Sequence, residues 1–76
     1  MEKLDEDLMK YIIARIVERA KEAAQDVKED SQDVLKQGRR LAYYEVLDII
    51  KSELETADIN LKDFEIDFDI SETLYS

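Results

Sequence analysis

The stretch Lys36–Ile50, KQGRRLAYYEVLDII, contains the only glycine of the chain, beside two arginines and ahead of an apolar run. Its apolar residues recur at spacings of three and four, which is typical of an amphipathic α-helix. The helix predicted around this stretch runs from Ser31 to Thr56. Apolar residues cover more than half of its circumference, whereas one packed neighbour covers a stripe of roughly 100°. We therefore expect this helix to contact two partners.

Two apolar stripes run along this predicted helix, turned by about 100° from each other. The first contains Leu35, Ala42, Val46 and Ile49, and the second contains Tyr43, Leu47, Ile50 and Leu54. We assign the first stripe to packing within the chain and the second to an interface with another copy. The pattern is equally compatible with the reverse assignment.

An earlier amphipathic helix is predicted from Leu4 to Lys28, where the apolar residues gather on one face roughly 140° wide. The break follows at KEDSQD, residues 28–33, where Asp30 or Ser31 can cap the second helix. No glycine or proline marks this break, so one unbroken helix from Leu4 to Ala57 is an open alternative. Six consecutive polar residues in an otherwise striped sequence favour a helical hairpin.

Gly38 falls about opposite Ala20 in an antiparallel hairpin that turns near Glu29. Small residues on both helices let the two backbones approach closer than the usual 8–10 Å. The small residues nearby are Ala23, Ala24 and Ala42. Close packing would offset the ~1 kcal/mol that a mid-helix glycine costs relative to alanine. We therefore predict close helix packing at Gly38, with a kink or a helix start near Arg39 as the alternative.

Residues 58–76 change in character, because apolar and acidic residues alternate with a period of two. The apolar members are Phe64, Ile66, Phe68 and Ile70. Alternation predicts an extended chain with one apolar face. A single strand needs a partner, so the tail either lies across the hairpin or pairs with the same segment of a second subunit. The first arrangement is favoured, because paired copies would bring acidic residues together, and the regular apolar spacing disfavours disorder.

Composition limits the ways in which the 76 residues can be stabilised. A domain of this size buries only about 60% of its unfolded surface, so a lone two-helix hairpin is marginal. The chain has no cysteine for a disulfide and no histidine or cysteine for a zinc site. Self-association is the remaining usual route, and we predict a homodimer with a four-helix arrangement.

The net charge of −9, from 11 basic and 20 acidic residues, bears on the choice of partner. It disfavours direct binding to nucleic acid or to an anionic membrane, because both would repel the chain. A basic protein partner, including one that the chain engages as a nucleic-acid mimic, is compatible with this charge, as is a role in solubility alone. The acidic start is unlike a signal peptide, and no segment reaches the ~18 apolar residues of a membrane span. We expect a cytoplasmic protein.

Candidate chemistry is confined to carboxylates, because nucleophilic catalysis has neither a histidine base nor a cysteine here. Glu45 and Asp48 in EVLD, and Glu18 and Glu22 in ERAKE, resemble in outline the acidic pairs of all-helical nucleotide pyrophosphatases. The resemblance implies a metal-dependent hydrolase as the alternative function, although the spacing in ERAKE is one residue too long for that pattern. No cofactor, metal or catalytic residue is assigned in the preferred interpretation.

Arg39 points into the apolar arc of the second helix, where a charge is costly unless it is paired. We predict that it reaches an acidic group of the tail or of a neighbouring subunit. The complete expectation is an all-α hairpin over residues 1–57 with an extended acidic tail over residues 58–76. Its predicted function is that of a small non-enzymatic interaction or regulatory protein. Phe64, Ile66 and Phe68 are the predicted residues for docking a partner.

Overall fold

A computed structural model describes residues 5–76, and within that range all regular structure is helical. Helix α1 spans Glu6–Glu29, helix α2 spans Val34–Thr56, a 3₁₀ turn spans Leu61–Phe64, and helix α3 spans Ile70–Tyr75. The two long helices pack against each other across a four-residue turn, which confirms the all-α hairpin and excludes the single long helix. Leu4, the predicted start of the first helix, lies outside the described residues. No helix among residues 5–76 combines the length and apolarity needed to cross a membrane.

Aspartate side chains begin both long helices. The Asp5 carboxylate accepts a hydrogen bond from the backbone N–H of Asp7 at 2.8 Å, and the Asp33 carboxylate accepts one from Lys36 N–H at 3.1 Å. Such N-caps satisfy backbone donors that have no partner inside the helix. Asp33, rather than Asp30 or Ser31, is therefore the cap of α2.

Gly38 lies inside α2 and is exposed, and apart from its chain neighbours and the backbone of its own helix no atom lies within 4 Å of the position that a Cβ would occupy. The prediction of close packing at Gly38 is wrong. Leu47, nine residues further along, is half a turn around the helix from Gly38 and is fully buried. The glycine therefore points away from α1, and since α2 begins at Val34, the helix start near Arg39 is also excluded.

Two acidic residues in left-handed conformation turn the chain after α2. Asp58 has φ 61°, and the N–H of the next residue, Ile59, donates to the Leu54 carbonyl at 2.9 Å. Glu65 has φ 54° and closes the 3₁₀ turn in the same way, with Ile66 N–H donating to the Leu61 carbonyl. These are Schellman-type endings, for which glycine is the usual residue. They fold the tail back onto the hairpin.

The tail packs against both α1 and α2 and completes the hydrophobic core. Its buried side chains are Phe64, Ile66, Ile70 and Leu74, which cluster with Ile13, Ala20, Ala24, Leu47 and Leu54 of the hairpin. The expectation of an extended strand is therefore corrected, because helical turns hold both ends of the alternating segment. Those turns satisfy backbone groups that a lone strand would leave unpaired. The Asp69 carboxylate, for example, caps α3 by accepting from Glu72 N–H at 3.0 Å.

Candidate protein-binding surface

One side of the hairpin is covered by the tail, and three lysines hold the tail there. The ammonium groups of Lys10 and Lys21, both on α1, lie 5.7 Å from the ring centres of Phe64 and Phe68. From α2, Lys51 Nζ donates to the Phe68 carbonyl at 2.8 Å. Contacts between a cation and an aromatic face are each worth about 0.5–1 kcal/mol at exposed sites. This side of the hairpin is closed by the chain itself.

A second set of contacts secures α3. The Arg40 guanidinium lies 4.1 Å from the ring centre of Tyr75, and the Tyr44 and Tyr75 rings meet edge to face with centres 5.8 Å apart. Arg40 and Tyr44 are both half-buried in this cluster. Arg40 Nε is buried and has no hydrogen-bond partner among the described residues. Sequence reasoning missed this cluster, because nothing local to Arg40 signals that Tyr75 returns to it.

The opposite side of the hairpin is not covered by any of residues 5–76, and we call it the open face. It is defined by apolar side chains of both long helices: Leu8, Ile12, Ile16, Leu35, Val46 and Ile49. Five of these are classed as exposed, with Ile49 at 61% and Leu35 at 85%, and Ile16 is half-buried. Between the helices runs an apolar groove of about 330 Å³, and Glu53 is the only charged residue that lines it in the described part of the chain. An uncovered apolar groove rather than scattered single residues therefore marks this side.

The burial of the two apolar stripes of α2 is the reverse of what the sequence-based assignment expected. In the stripe predicted as the subunit interface, Leu47 and Leu54 are buried in the core, and Tyr43 and Ile50 are half-buried against it. The stripe predicted to pack within the chain, Leu35, Ala42, Val46 and Ile49, is exposed. The tail accounts for the difference, because it packs against both α1 and α2 and buries Leu47 and Leu54 of the second stripe beneath it.

The residues predicted to dock a partner lie mostly inside the chain. Ile66 is fully buried and Phe64 is 5% exposed, while Phe68 is half-buried beneath Lys21. A side chain that already fills its own core offers no free surface to another protein. The structure therefore moves the candidate binding surface from the tail to the open face.

Arg39 pairs within the hairpin. Its Nη1 atom lies 2.9 Å from Asp26 Oδ2 on α1, and its guanidinium lies 5.6 Å from the ring centre of Tyr43. The prediction of a partner in the tail or in a neighbouring subunit is wrong, because the short turn brings the end of α1 within reach. The pair is about 40% exposed on both sides, so its contribution to stability is about 0–1 kcal/mol.

Arginine side chains, two of them paired with carboxylates of α1, border the open face. Next to the apolar groove lies a second groove of about 340 Å³, lined by Tyr11, Arg15, Arg19 and Tyr43 as well as Ile12 and Ile16. Hydrogen bonding with Tyr11, followed by the charges of Tyr11, Glu18 and Glu22, raises the pKa of Arg15 above its ordinary value. With Arg39, three of the four arginines lie on this side of a chain whose net charge is −9.

The carboxylates considered for a metal site lie on two different helices, and all four are exposed. Glu45 and Asp48 are both exposed on α2, and Glu22 makes an ion pair with Arg19 at 3.9 Å. Glu18 is exposed on α1. Within residues 5–76, no group of three or more His, Cys, Asp or Glu side chains is arranged to hold a metal ion.

Comparison of the chain with family models, with curated proteins and with solved structures found no match. The fold and the surface together define the class: an all-α hairpin closed on one side by its own helical tail and open, apolar and arginine-rimmed on the other.

Proposed function

We propose that this protein is a small non-enzymatic interaction module that binds another protein through the open face. The observation that supports the proposal is the uncovered apolar groove between α1 and α2, flanked by Ile12 and Ile49. Single exposed apolar residues are normal on protein surfaces. A contiguous apolar patch rimmed by polar residues is typical of a site for binding proteins.

The composition of the patch also fits protein binding. Interfaces are enriched in aromatic residues and arginine, and they are depleted of charge at their centre. Here Tyr11 and Arg15 lie at the rim, whereas Glu53 is the single charged residue among residues 5–76 that lines the groove between the helices. No observation favours the metal-dependent hydrolase, which we do not carry further.

Site-specific cross-linking in cells tests the proposal. A photo-reactive amino acid replaces Ile49 in one variant and Glu55 in the other. Both positions are exposed and lie on the same helix, but Glu55 is about 120° around α2 from the open face. We expect covalent adducts from position 49 and few from position 55, with mass spectrometry identifying each adduct.

Each result has a defined meaning for the proposal. Adducts formed equally well from both positions, or from neither, would refute a role for the open face. A strongly basic protein attached at position 49 would support the prediction of a basic partner. An adduct of any other specific protein supports the interaction function and leaves the basic partner without support.

A further inference from the structure

We propose that the open face binds an amphipathic helix of another protein, and that this helix carries two acidic side chains one turn apart, which meet Arg15 and Arg19. The inference rests on the proposed function, since it names the class of segment that the open face binds. Three features of the chain support it: the shape of the groove, the row of residues along its α1 edge, and the distribution of charge about it.

The groove has the shape and length of a helix-binding site. It runs between two packed helices, and the exposed apolar stripe of α2 beside it extends from Leu35 to Ile49. At a rise of about 1.5 Å per residue this stripe is roughly 21 Å long, the length of a helix of about four turns. No strand occurs among residues 5–76, so the described chain offers no sheet edge to which an extended peptide could add. The groove therefore favours the apolar face of a helix.

Tyr11, Arg15 and Arg19 follow one another at intervals of four residues, so they form one row along the edge of α1. All three line a groove of about 340 Å³ that shares Ile12 and Ile16 with its apolar neighbour. Two like charges at this spacing repel each other and destabilise a helix. Two carboxylates with the same spacing on a docked helix would face the two guanidinium groups, and each guanidinium can donate two hydrogen bonds to a carboxylate.

The charge at this edge is opposite to that of the whole chain. Acidic residues outnumber basic ones by 20 to 11, yet no aspartate or glutamate among residues 5–76 lines the groove that contains Arg15 and Arg19. Arg15 makes no ion pair within the described part of the chain, and Arg19 has one partner, Glu22, at 3.9 Å with both side chains 52% exposed. Glu53, which lines the apolar groove, belongs to the opposite helix. Because salt screens distant charges over about 8 Å, contacts at the α1 edge should decide which helix binds.

Two synthetic peptides of about 18 residues test the inference, and fluorescence anisotropy measures their binding to the full chain. They share one stripe of leucines at helical spacing and differ only beside it, where one carries two glutamates a turn apart and the other carries two lysines. We expect the glutamate peptide to bind with a dissociation constant below ~1 mM, and about tenfold or more tightly than the lysine peptide. The net charge of −9 by itself favours the opposite order.

Substitutions in the chain locate the binding. Arg15→Glu should weaken binding of the glutamate peptide by about tenfold and strengthen that of the lysine peptide, because it reverses the charge at the edge of the groove. Lys62→Glu is the matched control, since it makes the same change of charge on the exposed surface of the tail and should leave the ratio of the two affinities unchanged. Ile49→Glu should weaken binding of both peptides, because it places a charge in the apolar groove. Helical circular dichroism verifies that each variant is folded.

A lysine peptide that binds as tightly as the glutamate peptide, or an absence of binding by both, would overturn the inference. Equal effects of Arg15→Glu and Lys62→Glu would also overturn it, because the peptides would then respond to net charge alone. Photo-cross-linking from position 49 separates this failure from that of the proposed function, since specific adducts formed there would retain the function without the acidic helix. An adduct with a second copy of the chain would assign the groove to self-association and refute the acidic helix.

Discussion

Replacing Ile66 by alanine tests whether the tail is part of the core. Ile66 is fully buried, in contact with the core cluster that Leu47 and Leu54 line. Truncation of a buried isoleucine to alanine costs about 2–5 kcal/mol, through the lost burial and the cavity left behind. The whole free energy of unfolding for 76 residues is about 4–11 kcal/mol. One substitution in the tail should therefore remove a large part of the stability of both long helices.

Urea unfolding followed by circular dichroism at a fixed chain concentration measures this loss. The midpoint should fall with an unchanged slope, and the melting temperature should fall by roughly 10–30 °C. Asp67→Ala is the control, since the neighbouring aspartate is exposed and its truncation should change the free energy of unfolding by less than about 0.5 kcal/mol. Equal losses below ~1 kcal/mol for both variants would show that the tail is not packed as described.

Three further substitutions examine the middle of α2, the turn that follows it and the α3 contacts. Gly38→Ala should stabilise the chain by about 0.5–1 kcal/mol, because a Cβ there meets nothing outside its own helix within 4 Å and alanine favours the helix. A lower melting temperature for this variant would mean that the glycine makes a contact after all. Asp58→Gly should also raise the melting temperature, because a backbone φ of 61° is strained for aspartate but readily adopted by glycine. An unchanged or lower melting temperature would argue against the left-handed turn. Tyr75→Ala should lower the free energy of unfolding, measured in urea, by about 1–3 kcal/mol. Tyr75→Phe keeps the aromatic ring beside Arg40 and should lower it much less. Equal decreases for the two variants would assign the effect to the tyrosine hydroxyl instead.

The hairpin was predictable because its signals are local. Apolar spacing of three and four marks both helices, and the polar run at residues 28–33 marks the turn between them. The excess of apolar surface on α2 also correctly indicated contacts with more than α1. The pattern did not determine how α2 is rotated about its own axis, because its two stripes are similarly apolar and either could pack against α1. Only the position of the tail distinguishes Leu47 from Ile49.

The tail resisted prediction for a different reason. Its alternation of apolar and acidic residues is typical of a strand, yet here it results from a 3₁₀ turn, a connecting segment and a helix start in succession. The decisive conformations are left-handed and belong to Asp58 and Glu65, whereas the chain's one glycine lies in the middle of a regular helix. Glycine, the usual signal of a left-handed turn, therefore points to Gly38, where the chain has no turn.

The packing of the tail across both long helices has a consequence for the order of folding. Ile66 and Leu74 are buried against residues of both α1 and α2, so their binding site exists only after the two helices have paired. Contacts within the hairpin close a short loop, and contacts between α1 and α3 close a much longer one, so the hairpin should form first. Tail docking then falls after the rate-limiting barrier. Substitutions such as Ile66→Ala should accelerate unfolding in stopped-flow measurements and leave the refolding rate nearly unchanged.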